Sequence, residues 1–144
     1  MTRFELFSLS VFGITHYWNR IATDTMKEYG LKGAYGFYLI ILANSGEPLT
    51  SMRLSEITLR DKADVSRAVT QFRKQGLVKN SESQKYRAPI VLTKKGYDLA
   101  SQIQTEADNA LKAAGVGLSE EMRICMYESL DIIYSNLKRL HEGD

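Results

Sequence analysis

Between Arg60 and Lys95 stand ten basic residues, Arg60, Lys62, Arg67, Arg73, Lys74, Lys79, Lys85, Arg87, Lys94 and Lys95, against three acidic ones, Asp61, Asp64 and Glu82. The whole chain has a formal net charge of +2, so this segment's surplus of seven leaves the remainder with five excess negative charges. Such a gathering of ammonium and guanidinium groups on an otherwise acidic body is the electrostatic footprint of a polyanion-binding face. Lysine meets a phosphate as a point charge, whereas the guanidinium fork of arginine presents parallel donors to a phosphate or a guanine edge. A merely solvated face would carry the same charges, so the pattern around them has to decide.

Other chemistries find no support. The sequence has no G-x-x-x-x-G-K-[ST], no G-x-S-x-G and no H-E-x-x-H, and no enzymatic activity is expected. His16 and His141 lie at opposite ends without cysteines at ligand spacing, so neither a structural metal nor a cofactor is expected. The single cysteine, Cys125, cannot form an internal disulfide and reads as a small buried hydrophobe; a redox role would need exposure and a lowered pKa. Met1-Thr2-Arg3-Phe4 leads straight into a periodic apolar pattern instead of a signal peptide. The longest apolar run, Phe37 to Ala43, falls far short of the roughly 18 residues a membrane span requires. A cytoplasmic protein without a membrane partner is the expectation.

The elements that must carry the basic residues can be read from periodicity. With 44% hydrophobic and 25% charged residues, the 144-residue chain suits one compact domain over 1–144. Phe4, Phe7, Val11, Ile14, Trp18 and Ile21 recur every three or four positions, with Leu6, Leu9 and Phe12 between them, which predicts a helix over 4–28 buried on more than one side. A second, strongly apolar helix is predicted from Ala34 to Ala43, closed by Asn44-Ser45-Gly46-Glu47-Pro48. Ser51 to Leu59 reads as a short helix with Leu54 and Ile57 inward.

The segment from Asp61 to Gln75 is the most legible. Val65, Ala68, Val69 and Phe72 fall at i, i+3, i+4 and i+7, one narrow apolar stripe. Asp61 suits the N-cap, Asp64 the first turn, Arg73 and Lys74 the last turn, and Gly76 the left-handed position beyond it. With the stripe inward, Ala63, Ser66, Arg67, Thr70 and Lys74 turn outward. Small and polar side chains allow close approach to base edges, Arg67 can reach guanine, and Lys62, Thr70 and Lys74 suit phosphates. Leu77 to Asn80 and Tyr86 to Leu92 predict two strands of a hairpin, with Pro89 marking an edge strand. Lys79, Lys85 and Arg87 would then form a basic wing able to reach the backbone or the minor groove. A helix follows from Thr93 to about Ala113, and another from Ser119 to about His141, in which Met126, Leu130, Ile133, Leu137 and Leu140 form a heptad-like seam. Apolar surface on two long terminal helices, beyond what a small central module can cover, argues for a homodimer.

Leu54-Ser55-Glu56, Asp61-Lys62-Ala63-Asp64-Val65-Ser66-Arg67, Gln75-Gly76-Leu77-Val78 and Leu92-Thr93-Lys94-Lys95-Gly96, in this order and spacing, resemble the MarR family of winged-helix regulators. The resemblance covers most of the chain. It implies a mostly α fold with a small β-hairpin wing: a winged helix-turn-helix lobe over 34–96 and helical dimerisation regions over 1–30 and 97–144. It also implies an effector pocket where the dimer helices meet that lobe, for which His16, Tyr17, Arg20, Tyr35 and Tyr38 are the candidates. As ordinary core and interface aromatics with satisfied tips they would look the same in sequence.

Two departures stand out. The family's wing carries an Asp-x-Arg whose arginine enters the minor groove, whereas Ser81-Glu82-Ser83-Gln84-Lys85-Tyr86-Arg87 has no aspartate, leaving Arg87 or Lys85 to take that role. Ala63 and Asp64 stand where the family often has small hydroxyl residues, which suggests an altered base preference. Asp64 would repel phosphates unless it pairs with Arg60 or accepts from a cytosine amino group.

The expected function is sequence-specific binding of double-stranded DNA by a ligand-responsive repressor, its two recognition helices entering successive major grooves of a pseudopalindromic operator. A winged-helix module that binds protein, or a nonspecific architectural DNA binder, are the alternatives.

Overall fold

The computed structural model describes residues 1–80 and 88–143. In chain order the elements are helix α1 (Arg3–Lys27), helix α2 (Gly33–Asn44), strand β1 (Leu49–Thr50), helix α3 (Ser51–Thr58), helix α4 (Lys62–Lys74), strand β2 (Pro89–Ile90), helix α5 (Lys94–Ala114) and helix α6 (Glu120–Glu142). The chain divides into two compact units, Met1–Asp108 and Asn109–Asp144. This is the mostly α fold with a small β wing that the resemblance implies.

In the first unit, local chemistry sets the helix starts. The Thr2 hydroxyl accepts from the Glu5 amide at 3.1 Å while the Glu5 carboxylate accepts from the Thr2 amide at 2.9 Å, a reciprocal capping box at the head of α1. Thr50 caps α3 by accepting from the Arg53 amide, and Asp61 caps α4 by accepting from the Asp64 amide. The core gathers Tyr35, Tyr38, Leu39 and Leu42 of α2, Leu54 of α3, the stripe of α4, Leu77 and Val78, Ile90 and Leu92, and Ala100 and Ile103 of α5.

The β structure is small. Leu49 pairs with Ile90 and Thr50 with Pro89, antiparallel, while Val78 bridges to Leu92 and the Lys79 amide donates to the Val91 carbonyl. The limb that begins at Pro89 therefore pairs first with β1 and then with the residues leaving α4. Among the described residues the sheet has two strands, so Pro89 sits on an edge strand as expected, while β1, its partner, is too short to show any alternation. The wing tip, residues 81–87, lies outside the described residues.

A further correction concerns α3. Leu54 is fully buried as expected, but Ile57 is exposed and Ser55 takes the second inward position, its hydroxyl donating to the Met52 carbonyl. The helix ends immediately afterwards at Leu59, which caps it in the left-handed region at φ 54° and so turns the chain toward α4.

Helix α1 was expected to be buried on more than one side, yet within this chain only Met26 is buried along its length. Phe4, Leu6, Leu9, Phe12 and Ile14 are all exposed. The second unit behaves similarly: Ser119 caps α6 by accepting from the Met122 amide, Gly143 ends it in the left-handed region, and α6 has no buried residue. Cys125, expected as a buried hydrophobe, is exposed beside Ser129.

Candidate nucleic-acid interface

Helix α4 owes its orientation to its inner stripe. Val65, Ala68, Val69 and Phe72 are each at most 2% exposed, and Phe72 meets the Tyr35 ring edge-on at a centroid distance of 5.9 Å. With that face closed, Lys62, Ala63, Ser66, Arg67, Thr70 and Lys74 are all exposed on the opposite side. The Thr70 hydroxyl donates back to the Ser66 carbonyl at 3.0 Å, leaving its lone pairs to face outward. A narrow, rigidly seated helix with a small-residue face around one arginine is of the size and chemistry that a major groove admits.

The end of α4 is fastened as firmly as its start. Gly76 takes φ 73°, where a side chain would be strained, and lets the chain turn back at once. The Thr93 hydroxyl donates to the Gly76 carbonyl at 2.6 Å and accepts from the Gly96 amide at 3.1 Å, so one side chain clamps the exit of α4 and caps the entry of α5. A Cβ on Gly96 would strike the Leu77 carbonyl oxygen, a backbone atom with no room to yield. The Leu-Thr-x-x-Gly pattern is thus a packing device that fastens the exit of α4 to the start of α5.

Not every basic residue of the segment faces outward with a free charge. Arg73 is half-buried with its Nε enclosed, the Lys95 ammonium donates to the Gln75 carbonyl at 2.7 Å, and Lys94 pairs with Asp98 at 3.1 Å. Lys79 is exposed at the first limb of the wing, while Lys85 and Arg87 lie outside the described residues.

Asp64 has one partner that sequence spacing could not reveal, and another, one helical turn on, that it could. The fully buried Tyr38 hydroxyl donates to its Oδ2 at 2.5 Å, and its Oδ1 faces the Arg67 guanidinium at 3.6 Å. Burial first, then the hydrogen bond to the carboxylate, holds the Tyr38 phenol well above the ordinary tyrosine range, although the nearby Arg60 pulls the other way.

The five candidates for an effector pocket fall into two groups. Tyr35 and Tyr38 stack at 6.1 Å within the core, whereas His16, Tyr17 and Arg20 are exposed on α1, with His16 and Tyr17 edge to face at 5.1 Å. A separate open cleft of about 220 Å³ between α2 and α5 is lined by Ile40, Ala43, Asn44, Tyr97, Ala100, Ser101 and Gln104, none of them among the five. Among the described residues no cluster of His, Cys, Asp or Glu is placed to hold a metal ion, and no helix is long and apolar enough to cross a membrane.

Comparison with known proteins bears on this geometry. Residues 29–85 match the model of the MarR family. No curated protein sequence matches the chain. Among solved structures, a MepR–DNA complex from Staphylococcus aureus is 22% identical with a TM-score of 0.75, over 95% of this chain and 98% of that one. A putative MarR family regulator from Listeria monocytogenes, complexed with a 26mer DNA, is 21% identical with a TM-score of 0.79, over 94% and 93%. A MarR transcriptional regulator from Methanosarcina mazei Go1 is 18% identical with a TM-score of 0.84, over 97% and 94%. Residues 29–85 are thus similar in sequence to the MarR family, and over nearly its whole length the chain shares the fold of these solved structures.

Proposed function

We propose that this protein is a non-enzymatic, cytoplasmic regulator of transcription that binds double-stranded DNA as a homodimer. The observation that carries the reading is α4: closed on its inner face, capped at both ends, and offering Arg67 among Ala63, Ser66 and Thr70 on its outer face. Structures of the same fold solved with DNA, one from Staphylococcus aureus and one from Listeria monocytogenes, support it. Arg67 reads base edges, Lys62, Thr70 and Lys74 hold phosphates, and Lys79 with Lys85 and Arg87 extends the contact along the wing.

In this reading residues 34–96 form the DNA-binding lobe, and residues 1–30 and 97–144 make the dimer, whose apolar faces are otherwise open to water. The two copies of α4 enter successive major grooves about 10 bp apart and repress by occluding a promoter. A small-molecule effector that alters their spacing needs a coupling of only about 1–3 kcal/mol to change affinity by 5- to 150-fold. His16, Tyr17 and Arg20 are the accessible candidates for its recognition.

The test is selection of bound sequences from a randomised duplex pool at near-physiological salt. An inverted repeat with half-sites about one helical turn apart is expected. Binding without a motif that vanishes as salt rises would reduce the protein to a nonspecific DNA binder, and no binding at all would favour a protein partner.

A further inference from the structure

The contacts of Asp64 point to a role for a residue that faces neither the solvent fully nor the core. Its amide is held by the Asp61 carboxylate at 2.8 Å, and its Oδ2 by the buried Tyr38 hydroxyl at 2.5 Å. Its side chain is only 26% exposed, and the remaining oxygen, Oδ1, lies 3.6 Å from the Arg67 guanidinium, which is itself 60% exposed. An ordinary exposed ion pair one helical turn apart contributes little, because both side chains must surrender their freedom to form it. Here the carboxylate is already held by the buried Tyr38 hydroxyl, and its backbone by the Asp61 cap, so the contact mainly orders the arginine.

We propose that Asp64, anchored by Tyr38, is a positioning residue that presents Arg67 to the DNA and so sets base preference. The proposal rests on the reading of α4 as the DNA-reading helix and adds to it a determinant 26 positions away in sequence, inside α2. Two consequences follow from charge and geometry. The carboxylate partly neutralises Arg67, which weakens its pull on any phosphate regardless of sequence. It also draws one Nη of the guanidinium to its own side, an ion pair at 3.6 Å that biases the remaining donors outward for a bidentate contact with a base. Asp64 thus favours discrimination over raw affinity, and its negative charge in the reading helix is answered from within the protein instead of by a cytosine.

The experiment compares base preference, position by position, for the full-length wild type, Arg67→Ala, Tyr38→Phe, Asp64→Asn and the double variant Tyr38→Phe/Arg67→Ala. Arg67→Ala identifies the base pair it reads by losing about tenfold preference there. Tyr38→Phe and Asp64→Asn are expected to lose about half of that loss on a logarithmic scale, roughly threefold, at the same base pair only. Affinity for random duplex should stay the same or rise, and Tyr38→Phe should add nothing in the Arg67→Ala background. Asp64→Asn keeps an acceptor for Tyr38, so it reports on Arg67 even if loss of the phenol hydroxyl disturbs the core. A uniform loss at all positions, an unchanged preference, or additive effects of Tyr38→Phe and Arg67→Ala would overturn the proposal. If the wild type selects no motif, DNA reading itself fails. The positioning claim is then decided without DNA by the NMR order of the Arg67 guanidinium NεH, which should fall in Tyr38→Phe and Asp64→Asn and would refute the claim by staying unchanged.

Discussion

The lobe around α4 and the two terminal helices α1 and α6 draw on similar apolar residues and treat them in opposite ways. In the lobe, Tyr38, Leu39, Leu54, Val65, Phe72 and Leu77 are sealed from water within one chain. Along α1 and α6, Phe4, Phe12, Ile14, Leu130, Leu137 and Leu140 are left at least half exposed. Each helix thus leaves large apolar side chains open to water, which is the kind of surface that a partner molecule can cover. The sealed lobe and the open terminal helices can therefore be perturbed separately, and the contrast between them can be measured.

The largest effect should come from opening the sealed region. Phe72→Ala is expected to lower stability by about 3–5 kcal/mol in urea unfolding followed by circular dichroism; a loss below 1 kcal/mol would mean that the lobe is less closed than its burial implies. Charging the open region should act on assembly instead. Leu130→Lys with Leu137→Lys should weaken self-association by about 3 kcal/mol, a hundredfold or more, in analytical ultracentrifugation while the helix content of the lobe persists. Unchanged association would show that α6 takes no part in any self-contact.

Smaller changes sharpen the account of the lobe. Removing the α4 cap with Asp61→Ala should cost about 1 kcal/mol, seen as a lower unfolding midpoint. Leu59 is 73% exposed and sits at φ 54°, so Leu59→Asn relieves strain without opening the core and should raise the midpoint by about 0.5 kcal/mol. A lower midpoint would show that the Leu59 side chain makes a contact the single chain does not display.

How much of this was legible in the sequence follows the same divide. The stripe, the Asp61 cap and the Gly76 turn of α4 could be read because all three are local, and local chemistry decides a capped amphipathic helix. Ile57 was misplaced because α3 is only two turns long, too short for its apolar spacing to fix which face turns inward. The strand β1 left no trace because two residues carry no periodicity. For α1 the apolar pattern was legible but not its burial, since periodicity reports which faces are apolar and not what covers them. The Tyr38 to Asp64 bond joins two helices through tertiary packing, so no spacing rule could have announced it.

The clamp formed by Thr93 also has a kinetic side. Its hydroxyl holds the Gly76 carbonyl and the Gly96 amide together, and its own amide donates to the Leu77 carbonyl at 2.9 Å. Neither the last turn of α4 nor the first turn of α5 can fray without breaking bonds in the other. In amide hydrogen exchange, Leu77, Thr93 and Gly96 should therefore lose protection at a common rate, as one cooperative opening unit, although Leu77 lies far from the other two along the chain.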